Sequence, residues 1–235
     1  MAAPGADKLF RLMGLGELRH GEIAQVGRIS VRNEKRISGS SDASVYEVEW
    51  LGIRAAAKVL HHLPGQSSTS DDSNKKLQQF GKEIILLSTL RHPNVCQLLG
   101  VGTVDGGLPA MVVELLERTL YECSVGDGRL ADATLTLYLV DVLAGVRYLH
   151  SRDPPVIHRD LTLQNVVIKG KVAKLCDLGS ARKLQTDLIG WSADVSKAPG
   201  HLLYMPPEAL STNPDYNASL DVFSFGVLAI SVLSG

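Results

Sequence analysis

The chain has 235 residues, enough for one large domain or two small ones. Its 24 basic residues nearly balance 25 acidic ones, so charge favours neither nucleic acid nor an anionic membrane as the main partner. Three cysteines in a chain that is 45% apolar argue against a disulfide scaffold and for a reduced, cytoplasmic protein with a self-sufficient core. No apolar run approaches the ~18–20 residues that a membrane helix needs. Asp7, Lys8 and Arg11 fall where a signal peptide would require its apolar block, so with Met1 as the start no extracellular portion is expected upstream.

Residues 1–30 offer nothing firmer than a short helix. Residues 43–50 alternate, with Tyr46, Val48 and Trp50 on one strand face and Glu47 and Glu49 on the other. Val45 is apolar on the polar face: it is either an exposed valine or a contact for a flat apolar ligand. The run Ile53 to Leu60 is a second strand, on which Ala56 and Lys58 point the same way. A small residue there leaves room for a base with an ammonium near its phosphates, although Lys58 alone reads better as a solvated edge-strand lysine. Residues 61–74 show no periodicity and are expected to be a mobile loop. A helix follows over 75–90, with Leu77, Phe80, Ile84 and Leu87 as its apolar stripe. Glu83 borders that stripe and calls for a cationic partner, with a surface contact to adjacent Lys82 as the bland alternative to a partner from elsewhere in the fold.

Arg91-His92-Pro93-Asn94 stops the helix, and short strands are expected around 97–103 and 109–114. Residues 131–151 form an amphipathic helix through Leu135, Leu139, Val142, Val146 and Leu149, closed by Asp153-Pro154-Pro155. Val166-Val167-Ile168, a turn at Gly170 and the strand Val172 to Cys176 make a hairpin that leads to Asp177. The run Val227 to Leu233 is apolar nearly all round, so its helix expects burial from every side.

Before that hairpin stands Ile157-His158-Arg159-Asp160-Leu161-Thr162-Leu163-Gln164-Asn165, and after it Asp177-Leu178-Gly179. A carboxylate at Asp160 can take the proton of an incoming hydroxyl. The amide oxygen of Asn165 and the carboxylate of Asp177 suit Mg²⁺, a hard cation that prefers oxygen ligands. This set resembles the catalytic loop and metal-binding turn of the eukaryotic protein kinases. The resemblance implies an α+β, bilobal fold: a β-rich N-lobe with one helix over about 31–114, a hinge over about 114–118, and a mainly helical, incomplete C-lobe over about 119–235. Residues 1–30 would be an extension of unknown role.

The resemblance further implies ATP and Mg²⁺ as cofactors and a protein as substrate. Lys58 would be the nucleotide lysine, paired with Glu83. Ser38, Gly39, Ser40, Ala43 and Val45 would form the phosphate-covering loop. Val45, Ala56 and Val167 would press the adenine, Val113 would limit access behind it, and the backbones of Glu114 and Leu116 would pair with the base. Asp160 would be the catalytic base, and Asn165 and Asp177 the metal ligands. Leu87, Leu98, His158 and Leu178 match the family's stack of lobe-aligning side chains. Asp221 would cap the backbone of the catalytic loop. Arg159 would receive an activation-segment phosphate, with Thr186, Ser192 and Ser196 as acceptors.

The chain also departs from the family. The three loop glycines are Ser38, Ser40 and Ala43, with a glycine displaced to Gly39, although glycine lets amides approach phosphate closely. Thr162 stands where serine/threonine kinases carry lysine, and Gly200-His201 where they carry Gly-Thr. Neither Thr162 nor Gln164 is the arginine of tyrosine kinases. Leu203-Tyr204-Met205-Pro206-Pro207-Glu208 looks most like the tyrosine-kinase-like group of serine/threonine kinases. The chain stops at Gly235, where the family continues for several helices. The expected function is therefore protein phosphorylation, on serine or threonine with tyrosine left open. The alternative is a pseudokinase or signalling scaffold that binds nucleotide or a partner without efficient turnover.

Overall fold

The computed structural model describes residues 11–15, 26–29, 35–39, 42–61, 70–104, 107–184, 201–210 and 217–234. They fall into two units, Met1–Arg91 with Cys96–Leu115, and His92–Val95 with Leu116–Gly235. The first is built on alternation. Strands β1 (Val26–Arg28), β2 (Lys35–Gly39), β3 (Ala43–Trp50), β4 (Ile53–Leu60), β5 (Leu98–Thr103) and β6 (Pro109–Glu114) form one sheet in the order β1-β5-β6-β4-β3-β2. Only β1–β5 is parallel. Leu51 and Gly52, at φ 52° and 81°, turn β3 into β4, the left-handed pair that a two-residue hairpin demands. Every second residue of the central strands enters one apolar cluster: Val48 and Trp50 from β3, Ala55, Ala57 and Val59 from β4, and Val112 from β6. Ala56 and Lys58 are thereby left on the other face.

Helix α1 runs Ser70–Thr89, and its stripe Leu77, Phe80, Ile84 and Leu87 is buried. The helix begins five residues before the position expected from apolar periodicity. Its first residues, Ser70 to Asn74, include no apolar side chain, so apolar periodicity registers only the stretch beyond them. Polar composition had masked that start. Residues 62–69 of the expected loop lie outside the described residues.

In the second unit, β7 (Arg118–Thr119) leads into α2 (Leu120–Ser124) through a reciprocal cap. Thr119 accepts from the Glu122 N–H, and the Glu122 carboxylate accepts from the Thr119 N–H. Helix α3 (Asp132–His150) buries its predicted seam, Leu135, Leu139, Val142, Val146 and Leu149. Strands β9 (Val166–Lys169) and β10 (Val172–Leu175) make the hairpin and β7 its third strand, while β8 (Val156–Ile157) pairs with β11 (Arg182–Lys183). The His92–Val95 stretch packs into this unit. His92 stacks on Tyr148 with centroids 4.6 Å apart, and its Nδ1 accepts the Asn94 N–H at 3.1 Å. Burial and, second, the Lys174 ammonium hold its pKa below the ordinary value, in keeping with an accepting, neutral ring.

Gly145 lets α3 approach that stretch. A Cβ there would lie 2.8 Å from the Asn94 carbonyl oxygen and 2.9 Å from Leu175 Cδ1. Alanine in a helix interior normally gains about 1 kcal/mol over glycine. Gly145→Ala is instead expected to destabilise by about 1–2 kcal/mol, the scale of overpacking, as a lowered thermal midpoint.

Helix α4 (Ser219–Ser234) corrects one expectation. Leu220, Leu228 and Val232 are buried, yet Val222 is 61% and Ile230 70% exposed. Its apolar surface is thus covered on one side only: α3 lies against it, and among the described residues no element covers the opposite side.

Candidate active site

Strand pairing collects the residues of the first unit. Val45 lies opposite Lys58 and Glu47 opposite Ala56 across β3–β4. Ala56 lies opposite Val113 and Lys58 opposite Met111 across β4–β6. Direct cross-strand partners share a face, so Val45, Ala56, Lys58 and Val113 occupy the same side of the sheet, away from the apolar cluster. Lys58 Nζ lies 3.0 Å from both carboxylate oxygens of Glu83 on α1. Glu83 is only 4% exposed and Lys58 22%. The partner of Glu83 is therefore the strand lysine across the sheet face rather than Lys82, which is exposed.

Ser38 and Gly39 pair with Val45 and Ser44 in the β2–β3 ladder, and β2 is exposed along its length. A Cβ on Gly39 would overlap the Arg36 guanidinium and lie 2.8 Å from Ser44 Oγ. Ala43 opens β3 half-buried. Ser40 lies outside the described residues. Glu114 is buried, its N–H donates to the Gln97 carbonyl at 3.0 Å, and its Oε1 accepts the Gln97 N–H at 2.9 Å. Any base pairing by Glu114 would therefore run through its carbonyl. Leu87 and Leu98 are buried in this unit.

The second unit holds the other half of the expected set. Asp221 is fully buried on α4. Its Oδ2 accepts the His158 N–H at 2.8 Å and its Oδ1 the Arg159 N–H at 2.9 Å. Arg159 sits at φ 69°, a left-handed conformation that persists only where neighbours over-determine it. Oδ2 of Asp221 also meets His150 Nε2 at 2.8 Å. Directly after the two residues that Asp221 holds stands Asp160. Its Oδ2 and its backbone carbonyl both accept from Asn165 Nδ2, each at 2.8 Å, which turns the Asn165 amide oxygen elsewhere. The Asn165 carbonyl accepts the Cys176 N–H at 2.8 Å, so the loop is bonded to the residue preceding Asp177. Asp177 is exposed at φ 54°.

By chemistry this donor set suits a hard divalent cation, because Asn165 carries an amide oxygen and Asp177 a carboxylate. Among the described residues no group of three His, Cys, Asp or Glu could hold a metal alone, so such an ion would complete its shell with phosphate and water oxygens.

Val167 lies on β9 between buried Val166 and Ile168, on the opposite strand face. Leu116 is half-buried, while His158 and Leu178 are buried. Thr186, Ser192 and Ser196 lie outside the described residues. Two of the positions that depart from the family, Thr162 and His201, take part in the loop, as does His150, which the sequence reading did not single out. Thr162 is fully buried, with its hydroxyl 3.3 Å from the Asn165 N–H, so its side chain braces the loop. The His201 N–H donates to Asp160 Oδ1 at 3.1 Å, a backbone contact at the position where the family carries the threonine of Gly-Thr. His150 had a signal, since it ends the α3 stripe one residue after Leu149.

Comparison with known proteins agrees with this arrangement. The protein kinase domain family matches residues 48–235. The chain belongs to the protein kinase family. It is 33% identical over 234 residues to serine/threonine-protein kinase CTR1 of Arabidopsis thaliana, covering 97% of this chain and 26% of that protein. It is 31% identical over 208 residues to dual specificity protein kinase shkC of Dictyostelium discoideum, covering 86% of this chain and 38% of the relative. With serine/threonine-protein kinase VIK of Arabidopsis thaliana it shares 32% over 209 residues, covering 86% and 45%. The kinase chain thus spans less than half the length of these curated relatives. Among the described residues no helix is long and apolar enough to cross a membrane.

Proposed function

We propose that this is the catalytic domain of an ATP-dependent protein kinase that phosphorylates serine or threonine in a protein substrate, working in the reduced cytoplasm. The observation that carries the reading is the pair of bonds from the Asn165 amide to Asp160, with the Asn165 carbonyl bonded to Cys176, the residue preceding Asp177. The Asp160 carboxylate accepts the proton of the substrate hydroxyl as its oxygen bonds to the γ-phosphorus and the bond to the ADP oxygen breaks. Lys58, oriented by Glu83, holds nucleotide phosphates in the pose that makes transfer productive. Asn165 and Asp177 would hold Mg²⁺, which neutralises charge on the transferring phosphoryl group. Ala56, Val45 and Val113 offer an apolar face to the adenine, and Val167 offers another from β9. Ser38, Gly39, Ser40 and Ala43 would cover the phosphates with less backbone freedom than glycines would give. Glu114 and Leu116 would pair with the base.

Transfer of radiolabelled phosphate from ATP and Mg²⁺ to casein tests this. Asp177→Asn should lower the rate at least ~100-fold, in line with loss of a preorganised charge. A second reading, nucleotide binding without turnover, draws on the His201 N–H, which occupies the Asp160 oxygen that a substrate hydroxyl would approach. ATP that raises the thermal midpoint of the wild-type chain with no label transferred would decide for that reading.

A further inference from the structure

The stretch ahead of the kinase-matched residues contains a contact that neither catalysis nor the sheet explains. Gly81 sits in the interior of α1, where glycine is unfavourable. A Cβ there would overlap the Met13 carbonyl oxygen and lie 2.8 Å and 3.0 Å from the Met13 carbonyl carbon and Cα. The backbone of residues 11–15 thus lies directly on the helix. Met13 and Leu15 are 3% and 5% exposed, whereas Leu12 is 44% exposed. The segment closes on itself through the Gly14 N–H to Arg11 carbonyl bond of 3.0 Å, with Gly14 at φ 76°. Two apolar anchors, a backbone surface and a turn make a preformed strap.

Its place on the helix gives it a role. Glu83 is two residues beyond Gly81, and two residues rotate ~200° around a helix of 3.6 residues per turn. The strap therefore bears on the flank of α1 nearly opposite the flank from which Glu83 reaches Lys58. We propose that residues 11–15 are an internal positioning strap whose docking at Gly81 holds α1 with Glu83 seated on Lys58. The idea rests on Lys58–Glu83 being part of the kinase site, but its test requires no phosphoryl transfer, so its failure would leave the proposed function untouched.

The readout is the rate at which an amine-reactive ester acylates Lys58 in the full chain, followed by peptide mass spectrometry. Glu83→Gln sets the rate for a lysine without its carboxylate. Gly81→Leu displaces the strap by bulk. Met13→Ser combined with Leu15→Ser removes its grip and leaves α1 unaltered. Both variants should label at least about fivefold faster than wild type, the low end of coupling between distinct sites. A synthetic peptide of residues 8–17 should slow labelling again in the double variant and not in Gly81→Leu. Wild-type labelling rates in both variants would overturn the proposal. Loss of cooperative thermal melting in both would overturn it as well, because the segment would then be core rather than a positioning device.

Discussion

Asp221→Ala should lower the stability of the second unit by about 3–5 kcal/mol, read as a shift of the urea midpoint at unchanged slope. Asp221 is fully buried and accepts from three donors, the His158 and Arg159 N–H groups and His150 Nε2. Alanine deletes both acceptor oxygens and with them all three bonds in a buried site, and each orphaned backbone N–H costs about 1–3 kcal/mol. Arg159 adds to the loss, because its φ of 69° is held by the bond that disappears. Asp221→Asn should cost less, since its amide oxygen retains one acceptor. An alanine variant that melts with wild-type urea dependence would show that the loop holds its shape without α4.

Asp160→Asn should reduce kcat/KM for protein phosphorylation by about 10²–10⁴-fold, the usual contribution of a positioned general base. The fold should survive. Asp160 is half-buried at the loop surface, and an amide oxygen can still accept from Asn165 Nδ2. The urea midpoint is thus expected to stay near wild type while transfer falls. A variant that keeps more than about a tenth of the wild-type rate would remove Asp160 from proton transfer.

Much of the site could be read from the chain because its parts obey short-range rules. The two-residue period of β4 places Ala56 and Lys58 together, and the stripe of α1 places Glu83 beside the buried seam. Even so, periodicity left the partner of Glu83 open between Lys82 and Lys58, and only the sheet face decides it. The start of α1 was not legible because Ser70 to Asn74 are polar throughout, and apolar spacing does not register them. β1 was unreadable for another reason: three residues cannot show a period, and their pairing is with Val101–Thr103, far along the chain. The one-sided burial of α4 was illegible because a uniformly apolar helix does not say which side its neighbours take. The His201 contact with Asp160 belongs to a backbone N–H, which every residue except proline supplies.

The Asp221 anchor also imposes an order on folding. Its bonds span 62 and 63 residues, so the segment carrying Asp160 leaves the ribosome well before the carboxylate that locks it. Until then α3 and the β9–β10 hairpin can form from local contacts, while the loop between them has no acceptors for its inward N–H groups. Closing so long a loop is slow relative to local steps. The catalytic machinery is therefore the late-maturing part of this unit, and activity should lag behind helix formation during refolding.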